Sequence, residues 1–212
     1  MDALRIQGGT RLSGTLAVDG SKNAALPAMA AAIMADGPVT LHDVPTLSDI
    51  ANMTKLLREL GCEVTGHGRT CTIQTTDTAA THARYEIVRT MRASICVLGP
   101  LLASRGEARV SMPGGCAIGD RPVDLHLRGL RALGAQIELD GGDIIARADR
   151  LKGATIFLGG PFGSSVLGTA NVMSAAALAE GCTVIESAAC EPEIAGLADL
   201  LNAMGAKIQG AG

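Results

Sequence analysis

The sequence predicts an α/β prism: an inside-out barrel built from three pseudo-threefold copies of a strand-and-helix unit, with sheets facing outward around three buried helices. Three observations predict it. A glycine-terminated amphipathic segment recurs at a near-constant interval, a nearly all-apolar segment precedes each copy of it, and a short strand candidate joins the two. A repeat at fixed period is the feature to resolve before any fold is assigned, and a period near 72 is too long for the common solenoids.

The amphipathic segments are "LLRELGCEV" (56–64), "LRALGAQIEL" (130–139) and "LLNAMGAKI" (200–208). Each reads as a helix end, a glycine and a strand start. Their glycines, Gly61, Gly134 and Gly205, lie 73 and 71 residues apart. Counting back by 1, 4, 8 and 11 gives Leu60, Leu57, Met53 and Ile50 in the first copy, and Met204, Leu201, Leu197 and Ile194 in the third. That spacing puts each set on one helical face. The glycine then stops the helix as its C′ residue. In the middle copy the same count gives Leu133, Leu130, His126 and Val123, so a histidine stands in the apolar stripe.

The buried-helix candidates are "KNAALPAMAAAIMA" (22–35), "RASICVLGPLLAS" (92–104) and "TANVMSAAALAE" (169–180). A helix that is apolar all round must be covered on all sides. Pro27 and Pro100 are expected to kink these helices or to mark their first turns. The strands that follow are "PVTLHDV", "EARVSM" and "CTVIES", with hairpin candidates in "GRTCTIQTT" and "GGDIIARAD".

Composition excludes several classes. Of the 212 residues, 18 are Lys or Arg and 21 are Asp or Glu, so there is no basic excess for nucleic acid or an anionic membrane. Tyr85, Phe157 and Phe162 are the only aromatics, too few for base-stacking platforms. No apolar run reaches the length of a membrane span, and "MDALRIQGGT" has no leader-like apolar core. Cys62, Cys71, Cys96, Cys116, Cys182 and Cys190 form no CxxC pair, so free thiols in a cytoplasmic protein are expected. Cys62, His67 and Cys71 lack a fourth ligand in sequence reach and read as a turn and strand positions, so no metal is expected.

Four places could carry chemistry. Cys116 sits among Gly114, Gly115 and Gly119, too free a backbone to bury a side chain firmly, with Arg121 five residues on. A cation or helix N-terminus would lower its pKa and make it a functional thiol; otherwise it is a small residue in a turn. In "GDRPVDLH", Asp120 suits an N-cap and Pro122 a first helical turn, which leaves Arg121 at the positive end of the dipole. That placement suits an anion held jointly by guanidinium and helix, or else a surface pair with Asp120 or Asp124. His126 reads as a ligand or as a buried, hydrogen-bonded residue. Lys22 and Asn23 open the first buried helix, Arg92 opens the second, and Ser165 and Thr169 stand near the start of the third, where hydroxyls could also bind an anion. Lys22, Arg92 and Arg121 would then line one phosphate-binding cleft at an end of the prism.

"GSKNAALP", "RTMRASICVLGPLLA", "PGGCAIGDRPVDLHLRGLRALGA" and "AAALAEGCTVIESAACEPEI" resemble the UDP-N-acetylglucosamine enolpyruvyl transferases of bacterial cell-wall synthesis. The resemblance runs the length of the chain, and the cysteine-containing stretch sets it apart from the shikimate-pathway relatives that share the fold. It implies transfer of the enolpyruvyl group of phosphoenolpyruvate to the 3-hydroxyl of UDP-N-acetylglucosamine, with release of phosphate and no cofactor. Cys116 matches the family's proton donor, which the epoxide fosfomycin alkylates. Lys22, Asn23 and Arg121 match phosphoenolpyruvate contacts. Arg92, Arg121, Pro122, Val123, Asp124, Leu125, Ser165 and Val166 match the nucleotide-sugar contacts.

The resemblance further implies that residues 1–21 belong to a second domain, that 22–212 form the prism with its cysteine loop at 112–122, and that most of the second domain lies outside this chain. A monomer is expected at full length. There are two departures from the pattern. "FLGGPFGSSVLGTA" (157–170) is longer and richer in glycine than the corresponding family segment, and Cys190 stands where an arginine is common. The alternatives are an enzyme like 5-enolpyruvylshikimate-3-phosphate synthase and a non-catalytic nucleotide-sugar-binding fragment.

Overall fold

A computed structural model describes residues 3–113, 123–161 and 163–212. The first copy begins at α1 (Lys22–Ala31), which tightens into a 3-10 turn at Ala32–Met34 and leads to β1 (Val39–Leu41). Then come α2 (Ser48–Glu59), β2 (Cys62–His67) and β3 (Thr70–Thr75). The second copy runs β4 (His82–Ala83), α3 (Tyr85–Val88), a 3-10 segment (Arg92–Val97), α4 (Leu98–Arg105), β5 (Glu107–Ser111), α5 (Asp124–Ala132), β6 (Gln136–Asp140) and β7 (Asp143–Arg147). The third has β8 (Thr155–Phe157), α6 (Val166–Ala177), β9 (Val184–Glu186) and α7 (Pro192–Ala203).

The strand pairings show the repeat. In the first copy β3 lies between β1 and β2, antiparallel to both. In the second, β7 lies between β5 and β6 in the same way, and β4 adds to β5 in parallel. The third repeats that parallel pair as β8 and β9. Alternation along the strands puts Cys71 and Ile73, or Ala108 and Val110, against the helices. The other sheet face meets solvent, and α1, α4, α6 and the 3-10 segment pack on one another inside.

Burial follows the predicted stripes. Met53, Leu57 and Leu60, then Leu130 and Leu133, then Ile194, Leu197 and Leu201 are all buried. Gly61, Gly134 and Gly205 have φ of 78°, 98° and 108°, the left-handed conformation that ends a helix.

Three expectations are corrected. The second inner segment is not one helix over 92–104: it is 3-10 up to Val97 and α-helical only from Leu98. Pro100 explains the break, because it has no N–H and its ring crowds the carbonyl of residue 96. It sits in the first turn of α4, as expected, whereas Pro27 lies inside α1. The third inner helix starts at Val166 rather than 169 and ends at Ala177. Third, no strand begins after Gly205 among the described residues. There the Ile208 N–H donates to Asn202 Oδ1 (2.7 Å) and Asn202 Nδ2 donates to the Ile208 carbonyl (2.9 Å), so a side chain takes the place of a ladder.

Residues 3–20 form no helix or strand, and Leu4, Ile6, Leu12, Leu16 and Val18 are exposed.

Candidate active-site wall

The inner segments pack on one another, and the candidate residues stand at their starts. Ser21 caps α1 by accepting the Ala24 N–H (3.3 Å), which places Lys22 and Asn23 in its first turn. Arg92 begins the 3-10 segment, which packs on both α1 and α6. Ser165 caps α6 by accepting the Gly168 N–H (3.1 Å), with Val166 next. Lys22, Arg92 and Val166 thus hold equivalent places in three copies.

Helix α5 closes the arrangement. Val123 precedes its first residue, Asp124, and Leu125 packs where a Cβ on Gly160 would lie 3.3 Å from it and one on Gly168 3.6 Å. Arg128 Nη2 donates to the Gly159 carbonyl at 2.7 Å, tying α5 to the glycine-rich segment before α6. The structure therefore brings Leu125 to the start of α6, where a Cβ on Gly168 would also meet Ser165 at 3.0 Å. Cys116, Arg121 and Pro122 lie outside the described residues.

Lys22 has a partner that the sequence reading did not name, and one hydroxyl assignment differs from that reading. Lys22 Nζ donates to Asp49 Oδ2 at 2.7 Å, so its charge is already directed at the first turn of α2. Thr169 is buried and its hydroxyl accepts the Ala189 N–H at 3.0 Å. It serves the third copy's packing and is not an open anion contact.

His126 is buried and hydrogen-bonded, as one of its two readings had it. Its Nδ1 lies 2.9 Å from Asn171 Nδ2. Asn171 Oδ1 accepts the Gly99 N–H at 2.7 Å, and Nδ2 also donates to the Ile95 carbonyl at 2.8 Å. Burial holds the imidazole near a pKa of about 4, with Arg92 lowering it further and Asp124 opposing.

A second polar cluster lies at the end of β5. Asp143 accepts from Ser111 Oγ and from Arg109 Nε, both at 2.5 Å, and faces His82 Nε2 at 3.5 Å. Burial pushes its carboxyl up, but these donors and charges outweigh that and leave it below the ordinary value. Met112 donates to the Gly142 carbonyl at 2.8 Å beside it, so this cluster fixes the strand end that leads into 112–113. Asp49, Asn171 and Asp143 were not singled out from sequence. For Asp143 the signal available was its place after Gly141-Gly142, at the turn of the β6–β7 hairpin; its pairing with Ser111 joins β5 to β7 across α5 and β6.

Cys62 and Cys71 are buried, burial raises both thiols, and they face no metal-ligand set among the described residues. A cavity of about 540 Å³ lies away from this wall, beside α6 and α7, lined in part by Met173, Ile185 and Ile194. No helix among the described residues is long and apolar enough to cross a membrane.

The sequence profile of EPSP synthase (3-phosphoshikimate 1-carboxyvinyltransferase) matches residues 6–212. The chain belongs to this family. Within the EPSP synthase family, it is 54% identical over its whole length to a UDP-N-acetylglucosamine 1-carboxyvinyltransferase of Halorhodospira halophila and 52% identical to one of Methylacidiphilum infernorum. It covers 50% of each, so the chain spans half the length of these curated relatives. The fold is that of the family's solved structures. The enolpyruvyl transferase NikO from Streptomyces tendae superposes with a TM-score of 0.81 at 24% identity, covering 97% of this chain and 48% of that one. An EPSP synthase from Acinetobacter baumannii superposes with a TM-score of 0.66 at 20% identity, covering 85% and 42%.

Proposed function

We propose that this chain forms one wall of an enolpyruvyl transferase that moves the enolpyruvyl group of phosphoenolpyruvate to the 3-hydroxyl of UDP-N-acetylglucosamine and releases phosphate. This is the first committed step of peptidoglycan precursor synthesis. The observation that carries the reading is identity of 50–54% across the chain to relatives of that name; the equivalent places of Lys22, Arg92 and Val166 at the starts of the three inner segments support it.

The chemistry needs an acid, an anion site and dryness. A proton added to the C3 methylene leaves an oxocarbenium-like C2, to which the sugar oxygen bonds as its hydroxyl proton departs. Loss of a C3 proton and of phosphate from C2 then restores the enol. Cys116 is the proposed acid. Lys22, Asn23 and Arg121 are the proposed phosphoenolpyruvate contacts, where cations offset charge growing on the leaving phosphate. Arg92, Arg121, Pro122, Val123, Asp124, Leu125, Ser165 and Val166 are the proposed nucleotide-sugar contacts.

The extended, exposed run of Leu4, Ile6, Leu12, Leu16 and Val18 supports assigning residues 1–21 to a second unit that covers them. A cytoplasmic monomer at full length goes with this reading, since both substrates are soluble metabolites.

Phosphate release by the full-length protein tests the function. Release with phosphoenolpyruvate and UDP-N-acetylglucosamine is expected. Release only with shikimate 3-phosphate would move the activity to the alternative that the family profile's own name suggests.

A further inference from the structure

Asn171 is fully buried on α6 and its amide has a determined orientation. The Gly99 N–H needs an acceptor, so the atom 2.7 Å away is oxygen. The Ile95 carbonyl needs a donor, so the atom 2.8 Å away is the NH2. That same NH2 lies 2.9 Å from His126 Nδ1, which must therefore accept. An accepting Nδ1 has no proton, so the ring is neutral and its proton sits on Nε2. Reversing the amide would set donor against donor at Gly99 and acceptor against acceptor at Ile95. A Cβ on Gly99 would lie 2.2 Å from the Asn171 carbonyl and 3.0 Å from its Oδ1, so α4 and α6 cross in backbone contact at this point.

We propose that Asn171 is a positioning residue for the substrate wall: it locks His126 as a neutral, Nε2-protonated imidazole, so that the ring adds no charge beside the start of α5 across the physiological pH range. Among the described residues, Arg92 from the second inner segment and Asp124 on His126's own helix are the charged groups acting on the ring. Helix α6, packed against α5, contributes none, since "VLGTANVMSAAA" is uncharged. A cationic His126 would repel Arg92 and change the field at the proposed nucleotide-sugar contacts. The low pKa given by burial is consistent with the lock. This role in binding rests on the proposed function; the tautomer does not.

The test joins a spectroscopic signature to a pH profile in the full-length protein. Nitrogen-15 NMR of the wild type is expected to show His126 with a bare Nδ1 and a protonated Nε2, unchanged from about pH 5.5 to 8. A protonated Nδ1, or titration in that range, would overturn the lock. In Asn171→Asp, a carboxylate faces Nδ1 and favours the imidazolium. UDP-N-acetylglucosamine affinity is then expected to change about tenfold with pH, at the midpoint of the His126 NMR titration. A His126 that titrates while the binding profile superposes on wild type overturns the role in binding. If Asn171→Asp does not fold, His126→Gln decides, because Gln can accept from Asn171 and is neutral at every pH. Affinity is expected to stay within about twofold of wild type, and a tenfold loss overturns the proposal. If the wild type binds no UDP-N-acetylglucosamine, the proposed function fails and the binding role with it, while the NMR result still decides the lock.

Discussion

Lys22 and Asp49 join the first inner helix to the first outer helix, Nζ to Oδ2 at 2.7 Å across 27 residues of sequence. The pair is part-exposed, with side-chain exposures of 42% and 28%, so its contribution to folding is about 1 kcal/mol or less. Lys22→Met is expected to leave the melting temperature within a few degrees of wild type while raising the KM for phosphoenolpyruvate strongly. A large drop in melting temperature with unchanged kinetics would make the pair purely structural.

The thiols should separate by environment. Burial pushes Cys96 up to about 12 and also raises Cys62 and Cys71, so none of the three offers thiolate near neutral pH. Cys182 and Cys190 are exposed and should take iodoacetamide readily. Fosfomycin, which needs an activated thiol beside bound substrate, is expected to add once, at Cys116, and faster with UDP-N-acetylglucosamine present. Peptide mass spectrometry placing the adduct on another cysteine would remove Cys116 from its proposed role.

Gly99→Ala, at the one glycine of α4, should be damaging, because the added methyl would meet the Asn171 carbonyl at 2.2 Å. Separating α4 from α6 is expected to cost about 1 to 3 kcal/mol in urea unfolding. Gly37→Ala, whose Cβ would meet nothing within 4 Å, serves as the comparison and should change little.

Acid should weaken the fold in two steps. His126 has its pKa lowered from 6.5 to about 4, so the unfolded chain takes up its proton first and stability falls as pH drops through that interval. The loss is on the order of 3 kcal/mol, and His126→Gln should abolish this slope. Asp143, also held below its ordinary value, gives stability that is present above that value and disappears as pH falls further through its folded pKa. Asp143→Asn should therefore cost about 1 to 3 kcal/mol at pH 7 and little once the pH is below the carboxyl's lowered folded pKa. Urea midpoints across pH check both.

The 212-residue chain is expected to unfold cooperatively by itself, since one connected core links its first two copies to α6. Turnover is a different requirement. Holding two reactants in attack geometry between facing walls can lower a barrier by roughly 7 to 11 kcal/mol, and this chain spans half the length of its named relatives. Phosphate release by the isolated chain at the rate of a full-length relative would refute that reasoning.

Local pattern carried most of the fold. The stripe ending at Leu60, Leu133 or Leu201 and the left-handed glycine after each helix are short-range consequences of helical period and backbone sterics, readable in any one copy. The equivalence of Lys22 and Arg92 was legible because the copies could be aligned. Asp49 opposite Lys22, and Asn171 against Gly99 and Ile95, were not, because side-chain pairs that meet across copies leave no periodic trace. The 3-10 segment at Arg92–Val97 was missed because an apolar run looks alike in either helix, although Pro100 marked its end. The strand expected after Gly205 failed for the reverse reason. A strand needs a neighbour, and Ile208 finds Asn202 instead.

Helix α1 packs on α7, and Ala31 is fully buried in a cluster with Ile194, Leu197 and Leu201. The ribosome makes Ala31 170 residues before the last of those partners exists. At roughly 5 to 20 residues per second, the face of α1 that meets α7 stays uncovered for on the order of ten to thirty seconds in every round of synthesis. Parallel pairing of β8 with β9 adds a late, non-local step. The nascent chain is thus a natural client for a holding chaperone that grips apolar segments, and its yield in the cell should depend on translation speed more than on final stability.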